Sequence, residues 1–157
     1  MLQRHPHPRR DGHPRGGEAE APNDNVEIAR RSFAAFNRSV ADGVEDYYEM
    51  LDPEIDWIPI TALLDGRRYR GPEGVRQWVE EVRRDWHVFE IRWTEVRDLG
   101  DGRVLAFGIW DCLGRRAGVR MSFDQAAWLI ELRRGRLARL QTFVDRAAAL
   151  EAAGLQA

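Results

Sequence analysis

Between Arg103 and Asp145 the chain reads as three apolar-rich runs, Val104 to Asp111, Val119 to Leu132 and Leu137 to Asp145. Turn signals separate them at Leu113-Gly114 through Gly118 and at Arg133-Arg134-Gly135, which predicts an antiparallel meander. The middle run is apolar on both parities: Met121, Phe123, Ala127 and Leu129 fall on one, Ala126, Trp128, Ile130 and Leu132 on the other. A strand with two apolar faces needs cover on both. Upstream helices can supply one cover and a second copy of the sheet the other, so the segment predicts a pocket and a homodimer.

With 157 residues and a formal net charge of -2, the chain has room for one domain with an ordinary core. All of its basic residues are arginine. The absence of lysine excludes Schiff-base chemistry, pyridoxal phosphate anchoring and the P-loop, each of which needs a lysine amine. Acidic residues balance the arginines and no basic stripe with interleaved aromatics emerges, which argues against nucleic acid as a partner. No apolar run is long enough to span a bilayer, and the N-terminus lacks the apolar centre of a secretory signal, so the expectation is a cytoplasmic protein without a membrane partner. Cys112 is the single cysteine; it cannot form an internal disulfide, and no metal cluster can be built from it.

Residues 1-24 are rich in His, Pro, Arg and Gly, have almost nothing to bury, and are expected to be a disordered tail. The folded part then runs from residue 25 to 157. A helix is expected from an Asn25 or Asp24 cap to about Ser39, with Val26, Ala29, Phe33 and Phe36 on one stripe. A shorter helix with Val44, Tyr48 and Leu51 is closed by Asp52-Pro53, and Ile55 to Pro59 follows as a short strand. After a polar loop, Arg68-Tyr69-Arg70 is extended and Gly71-Pro72-Glu73-Gly74 opens a third helix. Val75, Trp78, Val79 and Val82 form its apolar face. Val88 to Asp98 alternates as a strand, with Phe89, Ile91 and Trp93 on its apolar side, and Ala147 to Ala153 is a terminal helix that Gly154 ends.

Several phrases in this order carry a resemblance: Asn25-Val26-Glu27, Ala35-Phe36-Asn37, Leu51 to Trp57, Tyr69 to Val75, and Arg134-Gly135-Arg136-Leu137 leading to Phe143-Val144-Asp145. Together they resemble SnoaL-like domains of the nuclear transport factor 2-like, or ketosteroid isomerase-like, superfamily. The resemblance implies an α+β, cystatin-like cone: a curved antiparallel sheet wrapped around three helices, enclosing an apolar cavity and often paired through its outer face. It implies no cofactor, no metal and a small apolar or polycyclic molecule as partner. Members that the chain resembles include polyketide cyclases, ketosteroid isomerases, epoxide hydrolases and dehydratases, which place a carboxylate base in an apolar pocket where desolvation raises its pKa.

Two functional classes stay open: a cofactor-free isomerase, cyclase or hydrolase using carboxylate acid/base chemistry, and a non-catalytic ligand-binding or dimerisation module. The family acid of the last strand falls on Gln141 or Asp145 according to register, and Asp145 also reads as a plain helix cap. Asp124 is the second candidate acid, with Arg139 as an ion-pair partner, and Asp124, Arg139 and Asp145 can be set against the Asp-Arg-Asp arrangement of the epoxide hydrolases. Tyr69 is the candidate hydroxyl donor to a carbonyl. The expected lining is Trp57, Tyr69, Trp128, Arg139, Gln141, Phe143 and Asp145. The polar row Arg139, Gln141, Phe143 and Asp145 then faces the cavity, and the row Ala138, Leu140, Thr142 and Val144 faces a packed surface. Catalysis requires two or more of Asp56, Asp111, Asp124 and Asp145 to point into one enclosed cavity.

Overall fold

The computed structural model describes residues 17–116 and 118–156, with side chains from residue 24 onward. The tail up to residue 16, with its expected disorder and three histidines, lies outside the described residues. Helix α1 spans Gly17–Asp42 and starts eight residues before the expected Asn25 cap. Its buried stripe is Ala29, Ser32, Ala35, Phe36 and Ser39. Both serines satisfy their hydroxyls within the chain, Ser32 donating to the Ala29 carbonyl at 2.8 Å and Ser39 to that of Val44 at 2.5 Å.

Only a single 3-10 turn, Asp46–Met50, stands where the shorter second helix was expected. Leu51 is already extended, and strand β1 runs from Leu51 to Ile58. Pro53 is tolerated inside it because the pairing of β1 is irregular between Leu51 and Asp56, where no ladder donor is needed. The expected polar loop contains a short helix α2, Ala62–Asp65. Strand β2 is Tyr69–Arg70, and α3 is Gly71–Asp85 with Val75, Trp78, Val79 and Val82 buried, as their 3.6-residue spacing predicts. The long strands are β3 (Trp86–Gly100), β4 (Arg103–Gly114), β5 (Arg120–Arg133) and β6 (Arg136–Phe143), and α4 (Arg146–Ala152) ends the fold. Asp101-Gly102 and Arg134-Gly135 turn the β3–β4 and β5–β6 hairpins with positive φ at both residues, the geometry that matches strand twist in two-residue turns.

The sheet order is β2-β1-β6-β5-β4-β3. The pairs are antiparallel except β1 with β6, which is parallel, so the curved sheet is mixed where a wholly antiparallel one was expected. Bulges bend it. At Gly108 a Cβ would lie 1.9 Å from the Arg92 carbonyl oxygen, so only glycine lets β4 approach β3 there. On β5, Asp124 and Gln125 together oppose the single residue Ile109, since Phe123 pairs with Trp110 and Ala126 with Gly108. The extra residue switches the parity of the strand. Met121, Phe123, Ala126, Trp128, Ile130 and Leu132 therefore all belong to the inner core beneath α1 and α3, while Ala127 and Leu129 face out.

That outer pair is covered within the chain. Leu105, Phe107, Ala127 and Leu129 pack against Ala149, Leu150 and Ala153 at α4, and Arg97 and Arg146 lie over the Phe107 ring at 5.2 and 3.8 Å. The C-terminal helix thus meets the need for a second cover that was assigned to another copy of the sheet. Among the described residues no helix is long and apolar enough to cross a membrane.

Candidate functional site

Between the inner sheet face and the helices lies a hollow of about 30 Å³, room for one or two water molecules. Its walls come from nearly every element. Helix α1 supplies Ser32, Phe33 and Phe36, the 3-10 turn Tyr47, β1 Trp57, and α3 Trp78. The long strands add Phe89, Ile91 and Trp93 from β3, Trp110 from β4, Trp128 and Ile130 from β5, and Leu137, Leu140 and Thr142 from β6, with Pro59 and Ile60 beside β1. Several ring pairs meet edge to face or tilted: Trp57 and Trp78 centroids lie 5.5 Å apart, Trp78 and Phe89 5.7 Å, Phe89 and Trp110 5.3 Å. Phe33 and Trp93 instead stack, with centroids 4.1 Å apart and planes within 3°.

No lining residue is an Asp, Glu, His or Arg. The polar groups are neutral. Burial, and secondarily the neighbouring Tyr48, pushes the Tyr47 phenol well above its ordinary pKa, so it stays protonated. Trp78 donates its indole N–H to Thr61 Oγ1 at 3.0 Å. The indole N–H groups of Trp57, Trp93 and Trp110 are buried and have no hydrogen-bond partner among the described residues. An unpaired buried N–H costs about 1–3 kcal/mol, and the cost falls on three of the ring side chains around the hollow.

Of the residues expected in the lining, Trp57 and Trp128 are there. The others lie elsewhere. Tyr69 is buried, but its hydroxyl donates to Glu81 Oε2 at 2.7 Å beneath the Arg67 guanidinium, and burial followed by that bond pushes its pKa up to about 12. Asp124 sits exposed in the β5 bulge. Arg139 meets Asp56, not Asp124, at 3.9 Å and donates to Gln141 Oε1 at 3.3 Å, while Asp56 also accepts from Arg68 at 2.5 Å. Asp145 caps α4, accepting from the Ala147 N–H at 3.0 Å. Asp111 pairs with Arg120 at 3.2 Å.

The expected alternation along β6 exists, but its faces are exchanged. Leu140 and Thr142 line the hollow and Val144 packs on the inner core, whereas Phe143 joins the outer cluster. Cross-strand pairing explains why: Leu140 stands opposite Ile130 and Thr142 opposite Trp128, and directly opposed residues share a face. The row Arg139, Gln141, Phe143 and Asp145 instead lies away from the hollow. Gln141, Phe143 and Asp145 do come together, with Arg68 and Leu63, but in an open outer groove of about 420 Å³. The sequence reading missed Trp110 altogether, although it shares parity with Ala106 and Cys112 along β4; it also named Phe89, Ile91 and Trp93 only as an apolar side.

A second open groove, about 520 Å³, runs between α1, the end of α3 and the edge strand β3. It shares Phe89 and Ile91 with the hollow, so these two side chains are the partition between them. With Phe33 and Trp93 they are only half-buried, unlike Trp57, Trp78, Trp110 and Trp128 on the other walls. The α1–β3 side is therefore the wall nearest to solvent.

No protein-family profile matches the sequence, and no curated protein is similar to it in sequence. Solved structures are similar in fold. A nuclear transport factor 2-like protein from Burkholderia thailandensis E264 superposes with a TM-score of 0.66 at 18% identity, covering 83% of this chain and 96% of its own. TerC, crystallised with polyporic acid, gives 0.63 at 21% identity over 83% of this chain and 98% of its own. A hypothetical protein of ketosteroid isomerase-like fold from Catenulispora acidiphila DSM 44928, in complex with trimethylamine, gives 0.63 at 15% identity over 82% and 93%. The bent mixed sheet closed by helices over an aromatic hollow is thus the nuclear transport factor 2-like fold, and this chain has it.

Proposed function

We propose that the chain is a non-catalytic binding protein that takes a small apolar, aromatic molecule into the interior of the fold. The observation that carries this reading is the chemistry of the wall: aromatic and aliphatic side chains with a few neutral hydroxyl and indole groups, and no ionisable acid or base to move a proton at neutral pH. None of Asp56, Asp111, Asp124 and Asp145 lines the hollow, so carboxylate acid/base catalysis on a molecule held there lacks its groups. Polyporic acid in TerC and trimethylamine in the Catenulispora protein support the reading that this fold accommodates small ligands.

Ligand pockets usually enclose about 300–1,000 Å³, far more than the 30 Å³ of this hollow. Binding therefore requires Phe33, Phe89, Ile91 and Trp93 to move toward the adjoining groove, so that a ligand replaces ring-on-ring contacts with its own. Naphthalene serves as a probe. It is expected to form a one-to-one complex, seen by native mass spectrometry, and to quench tryptophan fluorescence. Leu140→Trp, which fills the hollow, is expected to abolish both effects while keeping the circular dichroism of the fold. Naphthalene binding that is absent in the parent chain, or unchanged by Leu140→Trp, overturns the proposal.

A further inference from the structure

We propose that two copies of this chain pair edge to edge through β3, joining their sheets about a two-fold axis at Ile91. Strand β3 ends the sheet: among the described residues it pairs with β4 alone, and none of its fifteen residues is buried. The other end of the sheet is finished by β2, which is two residues long and has Tyr69 buried. A long edge strand carrying apolar side chains is a template for another strand. On β3 these are Phe89, Ile91 and Trp93, half-buried on the inner face. The open groove beside α1 leaves space next to them. Every residue from Trp86 to Arg92 lines it, so it follows the edge of the strand and not one of its faces.

Charge selects the occupant and its register. Two sheets joined with their inner faces on the same side must set residues of like parity opposite each other. A two-fold axis at Glu90 then opposes two carboxylates, and one at Arg92 two guanidiniums. An axis at Ile91 sets Glu90 of each copy against Arg92 of the other. Both side chains are exposed and have no ion-pair partner among the described residues. The same register places Phe89 opposite Trp93 and Ile91 opposite itself, so the apolar match coincides with the charge match, and such cross-strand pairs are what stabilise antiparallel sheets. Charges on an edge strand ordinarily keep copies apart; opposite signs two residues apart admit a copy in one register. The ladder from β3 to β4 shifts between Trp86 and Val88 and again between Trp93 and Glu95, so the edge is regular over the residues that pair. Pairing needs no ligand. Opening the wall of the hollow moves Phe89, Ile91 and Trp93, so a ligand enters the separated copies.

The experiment is sedimentation velocity on the full chain with charge reversals. The parent is expected to pass from monomer to dimer as its concentration rises to hundreds of micromolar. Glu90→Arg or Arg92→Glu alone sets like charges at both contacts and is expected to weaken the dimer by at least about tenfold. The double reversal, Glu90→Arg with Arg92→Glu, is expected to return it to within about threefold of the parent, because the cross-strand ion pairs are restored with their signs exchanged. Cross-linking reads the register separately. Directly opposed Cβ atoms lie about 4.5–5.5 Å apart and diagonal ones about 7–8 Å. Under mild oxidation a mixture of Glu90→Cys and Arg92→Cys proteins is therefore expected to give the mixed disulfide in preference to either like pair, with the native Cys112 buried and inert. A parent that stays monomeric, whether β3 receives a strand from another protein or none, overturns the proposal. So does a dimer indifferent to the single reversals, which places the contact on another surface, or a cross-link that favours like pairs. Should a reversal fail to fold, the mass of the parent and the mixed cross-link still decide.

Discussion

Asp145 shows how one residue divides two accounts of the chain. As an active-site acid it belongs in the cavity, but it caps α4 through the Ala147 N–H at the far end of an outer groove. Asp145→Ala is expected to destabilise the fold by about 1 kcal/mol, a fall of about 3 °C in Tm for a chain of this size, with naphthalene affinity unchanged. An unchanged Tm with lost binding would restore Asp145 to the site. Tyr69 makes a similar point through pH. Its folded pKa is raised to about 12 from an ordinary 10.0, so the folded state holds the proton more tightly. The associated stability is complete below the ordinary value and is lost as pH climbs through the folded one. Tyr47 and Tyr48 are raised in the same direction, chiefly by burial. All three tyrosines are therefore expected to titrate late and together with alkaline unfolding in ultraviolet difference spectra. Tyr69→Phe should remove one of those late phenols. A phenol titrating at its ordinary pKa in the folded parent protein would contradict the burial argument.

At the scale of elements, α4 decides how the outer sheet face is finished. Its residues Ala149, Leu150 and Ala153 cover Leu105, Phe107 and Leu129, the surface whose exposure was the reason to expect pairing between copies. Ending the chain after Asp145 is expected to uncover that surface and drive concentration-dependent self-association, measured by light scattering against the full chain. A truncated protein with the same scattering as the full chain would show that α4 is not the cover. The partly legible elements divide by cause. The α3 helix, the α4 helix and the three-strand meander are readable because their signals are local: a 3.6-residue apolar stripe, a capping Asp, turn dipeptides with glycine. The 3-10 turn before β1 has the sequence pattern of a helix because Val44, Tyr48 and Leu51 mimic helical spacing, while Leu51 is in fact taken by the ladder to Leu137. The β5 bulge was invisible because Asp124 and Gln125 look like ordinary alternating positions until Ile109 is placed opposite them.

For the molecule as a whole, the wall composition was within reach of sequence reading and its orientation was not. Aromatic and aliphatic residues at period two along β3 to β6 require a sheet with a buried face, and the helical stripes of α1 and α3 require something to bury against; these are consequences of side-chain chemistry acting over a few residues. Hence the sequence by itself determined the α+β composition, the meander and the presence of Trp57 and Trp128 in an apolar interior, and left Asp145 open between site acid and helix cap. Which side of β6 faces that interior is a different kind of question. Alternation is symmetric: exchanging Leu140 and Thr142 with Arg139, Gln141 and Phe143 preserves the local pattern. Only partners distant in sequence break the symmetry. Trp128 and Ile130 pull Thr142 and Leu140 inward, Asp56 holds Arg139 outside, and α4 collects Phe143. Tertiary structure therefore decided that the hollow contains indoles and no carboxylates, because the free energy of burying Leu140 and leaving Arg139 and Gln141 near water exists only once the covering elements are in place.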